Sequence, residues 1–174
     1  MRRLRRALVS LSAATALVAL TAPGVGAEVT KQTPPPPVKK QAAPAHKMMN
    51  AADLKWGPAP PGLPAGVQAT VLDGDPTKPG LFTVRLKAPD GTQVKPHWHP
   101  ADEHVTVISG ALMVGMGAKW DDAGMQALNA GGHAVVPRKQ NHYVRMKGET
   151  VLQLTAMGPF AITYADPKDD PRKK

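Results

Sequence analysis

The chain has 174 residues and a formal net charge of +9 at pH 7, from 22 Lys or Arg and 13 Asp or Glu. It has no cysteine, which excludes disulfides, thiolate metal ligands, a catalytic thiol and a lipid-modified cysteine. The excess positive charge lies near the amino terminus, with no basic stripe interleaved with aromatic residues, so no nucleic-acid partner is predicted.

Residues 1–27 have the pattern of a secretory signal peptide. Four arginines and no acidic residue precede an uncharged apolar stretch over residues 7–22. Pro23 and Gly24 then end any helix, and small side chains stand before Glu28, where a signal peptidase would cut. The apolar stretch is shorter than the roughly 20 residues that span a bilayer, which favours a cleaved leader over a membrane anchor. The sequence therefore predicts a periplasmic or secreted protein with no stable membrane span after cleavage.

Residues 28–50 form a Pro- and Lys-rich segment. Four consecutive prolines over 34–37 favour an extended polyproline helix, and few apolar side chains are available to offset the loss of chain entropy on ordering. We predict a disordered linker that tethers the domain. Recognition of the prolines by a partner is the alternative interpretation.

Short apolar stretches rich in Val, Ile, Thr and Leu recur over residues 51–166, separated by Gly, Pro and Asp. Several alternate, so that Phe82, Val84 and Leu86 share one face of a predicted strand. This spacing predicts one all-β antiparallel sandwich or barrel, with a short helical stretch around 48–54 and a solvated polar tail over 167–174. The predicted strands cover residues 68–72, 81–87, 93–98, 103–109, 112–117, 132–136, 142–145, 151–157 and 160–164.

Three histidines and one glutamate are placed for metal binding. His97 and His99 are two apart, which puts both imidazoles on one face of a strand. Glu103 begins the next apolar strand, where its carboxylate can face the same cavity, and His142 begins a later strand. Imidazoles and a carboxylate together suit a divalent transition metal.

This spacing resembles the cupin superfamily. Its first motif is Gly-(x)5-His-x-His-(x)3–4-Glu-(x)6-Gly, where x is any residue. Its second motif is Gly-(x)5-Pro-x-Gly-(x)2-His-(x)3-Asn. Two positions depart from it: Lys139 stands where the family usually has Gly, and Met146 where it usually has Asn. The matching residues are Gly91, His97, His99, Glu103 and Gly110 in the first motif, and Gly131, Pro137 and His142 in the second.

The resemblance implies a small jelly-roll β-barrel of the single-domain, RmlC-like kind, often a homodimer. It also implies one divalent metal ion inside the barrel, held by His97, His99, Glu103 and His142. Iron, manganese, nickel, zinc and copper all suit these ligands, so the identity of the metal stays open. The departures at Lys139 and Met146 affect turn geometry and a supporting polar group, and neither is a ligand position.

Four protein ligands leave an open coordination position, which is what a catalytic metal needs. The prediction is an exported metal-dependent enzyme, an oxygenase, decarboxylase or isomerase, acting on a small oxygenated molecule, with Glu103 as a candidate base. The alternative is a non-catalytic module that binds or senses a metal or ligand. No cationic pocket residue is evident, because strand alternation points Arg85 outward and Arg145 away from the face of His142.

Other polar residues carry weaker signals. His104 is predicted on the opposite side of its strand from Glu103, and His133 either near the cavity or at the surface. His46 lies in the linker, where a single histidine indicates nothing further. Gln153 is either a second-shell donor pointing into the barrel or a half-buried strand residue. Trp98, between two predicted ligands, should face away from the metal.

Overall fold

The computed structural model describes residues 46–173. The predicted signal peptide and residues 28–45 of the predicted linker lie outside the described residues. Within residues 46–173, no helix is long and apolar enough to cross a membrane.

The described part of the chain is built from antiparallel strands, which confirms the predicted all-β class. The helical structure in this part consists of three short 3₁₀ turns, and the first of them falls within the predicted helical stretch. The turns are Ala51–Asp53, Pro167–Asp169 and Pro171–Lys173. The strands are β1 (Gly57–Pro58), β2 (Gln68–Asp73), β3 (Gly80–Ala88), β4 (Gln93–Trp98), β5 (Glu103–Met116), β6 (Gln126–Asn129), β7 (His133–Val136), β8 (His142–Gly158) and β9 (Thr163–Tyr164).

The long strand β8 organises the sheet. Its first half lies between β4 and the second half of β5, so His142 is paired with both His97 and Met116. Its second half lies between β3 and the first half of β5, which pairs Ala156 with Glu103. The short strands β6 and β7 add to β5. Because β8 pairs with strands in both halves of the sheet, the sheet curls around an interior. The last residues of β4 and the first residues of β5 and β8 reach this interior.

Two predicted breaks between strands are bends within continuous strands. The sequence predicts a reversal at Ser109-Gly110, whereas β5 runs through it with register shifts on either side of Ser109. Gly110 has φ +73°, and a Cβ there would meet Glu149 O and Thr150. Gly148, with φ +74°, divides β8 in the same way. A left-handed glycine inside a ladder makes a bulge that bends the strand instead of ending it, so the predicted two-strand division here is wrong.

Alternation along the strands separates the core from the solvent face, as predicted for Phe82, Val84 and Leu86. Phe82 is 1% exposed and packs with Leu154 and Ala156. A second cluster contains Val107, Leu112 and other buried aliphatic side chains. The core therefore consists mainly of the inward faces of β3, β5 and β8, of which β5 and β8 carry predicted metal ligands.

Lys139 occupies a left-handed turn with φ 61°, at the position where glycine was expected. Its N–H donates to His99 O at 2.8 Å, which joins the loops that carry two predicted ligands. A left-handed L-residue costs roughly 1–2 kcal/mol, offset in part by the chain entropy of glycine. We expect Lys139→Gly to raise the free energy of unfolding by about 0.5–1 kcal/mol in thermal melts. Gln140→Gly, at a position without positive φ, should lower it, and equal effects of the two changes would contradict the prediction.

The polar tail differs from the predicted solvated end. Asp170 is 8% exposed, and its two carboxylate oxygens accept from Arg172 Nε and Nη2, each at 2.8 Å. Arg172 Nη2 also donates to Ile162 O at 3.1 Å. The tail is therefore held against the end of the barrel instead of lying free.

Candidate metal centre

The predicted ligands come from three strand ends. His97 lies near the end of β4 and His99 directly follows that strand. Glu103 is the first residue of β5, and His142 is the first residue of β8. Because β4 and β8 pair His97 with His142, the three strand ends meet inside the barrel.

The structure brings all four side chains together in the interior. The ligand-capable atoms of His97, His99 and His142 lie within 4.8 Å of one another. Glu103 Oε2 is 3.2 Å from His142 Nε2 and 3.7 Å from His99 Nε2. All four residues are at most 7% exposed. Three buried histidines at these distances could hold a metal ion, and the carboxylate lies beside two of them.

A backbone carbonyl fixes the tautomer of each imidazole. His97 Nδ1 donates to Lys95 O at 2.7 Å, and His142 Nδ1 donates to Gln140 O at 3.0 Å. His99 Nδ1 donates to Ala161 O at 2.7 Å, across 62 residues of sequence. A carbonyl only accepts, so Nδ1 carries the proton in each neutral ring and the lone pair is on Nε2. Such a hydrogen bond from Nδ1 to a carbonyl orients a histidine so that Nε2 can bind a metal.

The donor set fits a divalent cation. With Nδ1 protonated, the contact between His142 Nε2 and Glu103 Oε2 joins two acceptors, which attract each other only if a proton or a cation lies between them. Burial lowers the pKa of His97 to about 3 and also lowers that of His99, so both rings stay neutral near pH 7. Burial raises the pKa of the Glu103 carboxyl, but the contact with His142 and the positive charge of the surrounding imidazoles, when they are protonated, outweigh it and lower the pKa. With neutral rings, a bound cation would supply that positive charge. A neutral nitrogen set beside an ionised carboxylate is what a transition metal requires.

We expect the chelator-treated protein to lose stability as the pH falls below about 6.5. In the unfolded chain the pKa of His97 returns to its ordinary value, whereas burial and the neighbouring charges of His142 and His99 hold it at about 3 in the folded chain. Between these two pKa values only the unfolded chain binds the proton. The free energy of unfolding therefore falls by about 1.4 kcal/mol for each unit by which the pH is lowered. Denaturant melts from about pH 7.5 to about pH 4.5 measure this slope. His97→Asn should give a shallower slope, and a flat wild-type profile would contradict the prediction.

The other predicted polar residues lie outside this centre. His104 and His133 are exposed on the outer face, where His133 contacts Thr106 Oγ1 at 2.9 Å. Gln153 accepts from Arg85 Nε at 3.2 Å on that face, so it does not point into the barrel to support a metal ligand. Three further residues also lie outside the centre. Arg145 pairs with Asp122, Trp98 is half-buried, and His46 is exposed.

A cavity of about 330 Å³ lies beside the four side chains and includes them in its lining. The ring of Phe160 stacks on His99 at 4.4 Å between centroids, and Phe82 meets Phe160 edge-on at 5.3 Å. The centre therefore opens into a confined interior space with an aromatic wall, which is what a small-molecule site requires.

Sequence reasoning missed part of the cavity wall. Pro60, Pro61 and Leu63 come from a loop before β2, and Arg172 comes from the tail. Neither segment has a periodic pattern, so only the folded chain reveals their position. The available signal was composition: a Pro-Pro pair shortly before Leu63 in a loop, and Asp170-Pro-Arg172 in the tail.

Comparison with known families gives one match that covers most of the chain. Residues 32–163 match the family described as Domain of unknown function (DUF4437). None of the curated proteins compared matches the sequence.

Solved structures share the architecture at low identity. A proposed acetylacetone dioxygenase from Methylibium petroleiphilum PM1 gives a TM-score of 0.58 at 18% identity, over 75% of this chain and 88% of that chain. The polyketide cyclase RemF from Streptomyces resistomycificus gives 0.56 at 16%, over 76% and 92%. KdgF from Halomonas sp. gives 0.50 at 20%, over 66% and 96%. At these identities the likeness shows a common fold alone.

Proposed function

Because the chain belongs to the family described as Domain of unknown function (DUF4437), whose fold is that of the cupins, we propose that it is a metal-dependent enzyme. Its buried centre binds one divalent transition metal ion, and its substrate is a small oxygen-bearing molecule in the adjoining cavity. Oxygenation, decarboxylation and isomerisation are all compatible with such a centre, since one fold supports many reactions.

One observation carries the proposal: acceptor atoms of four buried side chains converge beside an interior cavity. His97, His99 and His142 direct Nε2 inward because their Nδ1 atoms are bonded to carbonyls. A purely structural metal site is usually closed by protein ligands on all sides. Here the cavity reaches the ligands, so a small molecule has access to the same ion.

The ion would supply Lewis-acid or redox chemistry to an oxygen-bearing group of the substrate. The protein itself fixes the positions of the ligand side chains. The carbonyl of Ala161 and the ring of Phe160 fix His99 from two sides. Glu103 is the proposed fourth ligand and the candidate base, since its buried carboxylate lies within 3.7 Å of two imidazoles and lines the cavity.

The test loads the purified protein separately with Fe(II), Mn(II), Ni(II), Zn(II) and Cu(II). Metal content is measured first, and oxygen uptake, carbon dioxide release and isomerised product are then followed with diketones, dicarboxylic acids and aldoses. Turnover with one metal, lost on chelation and restored on reloading, is the expected result. A protein that binds metal but turns over none of these classes would favour the non-catalytic binding or sensing module. A protein that stays folded and binds no divalent ion would leave a structural barrel.

We also propose that the protein acts outside the cytoplasm, on the evidence of the leader sequence. Expression of the full-length chain in a Gram-negative host should yield a processed protein that begins at Glu28 in the periplasmic fraction or the medium. Intact-mass measurement identifies the cut. Ala27→Tyr, which puts a large side chain before the cut, should leave the leader attached. An unprocessed wild-type protein in the cytoplasm would contradict export.

A further inference from the structure

Hydrocarbon forms nearly all of the cavity wall beyond the four predicted ligands. The described residues that line it are mainly aliphatic or aromatic side chains from β2, β3, β5 and β8 and from the loops at one end of the barrel. Met146, the second-motif position that departs from Asn, is one of them and is 4% exposed. Representative wall residues are Leu63, Val84, Leu86, Val144, Leu152 and Leu154. A buried polar substituent on a substrate would find few partners there.

The cavity also offers little charge to a substrate. Among the described lining residues, Glu103 and Arg172 are the two that carry a full charge when the imidazoles are neutral. The guanidinium of Arg172 already binds both oxygens of Asp170 at 2.8 Å and the carbonyl of Ile162 at 3.1 Å. Arg85 and Arg145, the remaining candidates from the sequence, are bonded to Gln153 and Asp122 outside the cavity. Arg172 is therefore the one cation among the described lining residues, and its charge is already paired with Asp170.

The charge of the metal centre limits the charge that a bound substrate can carry. Three neutral imidazoles and the Glu103 carboxylate leave a divalent ion with one unit of positive charge. A ligand that gives up one proton on binding makes this centre neutral. A second negative charge on the same ligand would lie unpaired in a hydrocarbon cavity, which would lower the affinity of the ligand.

We propose that the substrate is an uncharged, largely apolar molecule that binds the ion through two neighbouring oxygens, one of which loses its proton on binding. The proposal rests on the metal-dependent function above and narrows it. Substrates such as β-diketones in their enol form, α-hydroxyketones and hydroxylated aromatic ketones fit this description. Dicarboxylates, sugar acids and phosphorylated sugars do not, because their charges find no free partner. The cavity volume of about 330 Å³ lies at the small end of ligand pockets, which limits the substrate to a small molecule.

The experiment compares two chelators that share one metal-binding head. Ethyl maltol and comenic acid are both hydroxypyranones with the same adjacent ketone and hydroxyl oxygens. Ethyl maltol carries an ethyl group, whereas comenic acid carries a carboxylate away from the chelating pair. Each is titrated calorimetrically into the zinc-loaded full-length chain, and its affinity is divided by its affinity for free zinc. Metal content after gel filtration shows that zinc has stayed on the protein.

The expected result is a preference for ethyl maltol of at least about tenfold after this correction. Val71→Lys tests the cause, because Val71 lines the cavity and is 48% exposed, so an ammonium group there is tolerated at the cavity rim. This variant should bind comenic acid several-fold more tightly than the wild type does. Thr70→Lys adds the same charge on the other face of β2 and should leave both affinities unchanged.

Each contrary result overturns a different part of the argument. A zinc-loaded protein that binds comenic acid as well as ethyl maltol, or binds neither, overturns this proposal and leaves the metal-dependent function standing. If comenic acid binds and Arg172→Met removes that binding, Arg172 is an anion clamp and the substrate is an acid. A chain that takes up no zinc or other divalent ion overturns the proposed function and this proposal with it.

Discussion

The double variant His97→Ala/His142→Ala is expected to bind no divalent metal, whereas the wild-type chain is expected to bind one equivalent. It removes two of the three imidazoles that lie within 4.8 Å of one another, and it takes away the 3.2 Å partner of Glu103. The loss of affinity should exceed the roughly 10–100-fold that follows removal of an outer-shell partner. Mass spectrometry of the purified proteins measures the metal content.

The matched control is His104→Ala/His133→Ala. It removes the same number of histidines, but these two rings lie 5.8 Å apart on the exposed outer face. This variant should keep one equivalent. A single change, His142→Gln, keeps a side chain of similar size and guards against loss of metal through misfolding, which circular dichroism would reveal. Equal metal contents in the two double variants would contradict the assigned centre.

Gly115→Ala is expected to destabilise the fold by about 1–3 kcal/mol, the usual cost of overpacking a filled interior. Gly115 pairs with Tyr143 across β5 and β8, and the Tyr143 ring lies directly over it, so an added Cβ would overlap two ring carbons and the hydroxyl oxygen. The ring has little freedom to move. It is 1% exposed, its hydroxyl donates to Asp121 O at 3.0 Å, and it packs on Trp120 at 5.0 Å between centroids.

Thermal unfolding measures this change as a fall in midpoint of about 3–10 °C. Gly57→Ala is the matched control, because an added Cβ there meets nothing within 4 Å and the backbone has no positive φ. A double-mutant cycle with Tyr143→Ala should show that the cost of Gly115→Ala depends on the ring. If Gly115→Ala and Gly57→Ala are equally stable, the ring is not held over Gly115 in the way described.

The sequence alone predicted which side chains form the candidate centre. Their positions within each strand follow from local spacing. A strand places every second side chain on one face, so His97 and His99 had to point the same way. Glu103 and His142 were predicted at strand starts, and both lie there. The alternation of Phe82, Val84 and Leu86 was visible for the same reason.

The extent of several strands was beyond local reasoning. Gly110 has the sequence of a turn, but its neighbours stay paired on both sides, so β5 continues. β6, which pairs with β5, carries few buried residues and has no alternating pattern to reveal it. Whether a glycine ends or bends a strand depends on which partner strand is present, and that partner is distant in sequence.

Tertiary structure also decided how the centre is held and what it can accept. The carbonyl that fixes His99 belongs to Ala161, and Phe160 stacks on the same ring from far along the chain. Arg172 lines the cavity from a tail predicted as solvated, and its charge is already paired with Asp170. The sequence determined which side chains face the interior because strand periodicity is local. Only the fold decided that hydrocarbon surrounds them, because side chains from distant segments become neighbours only when the sheet curls.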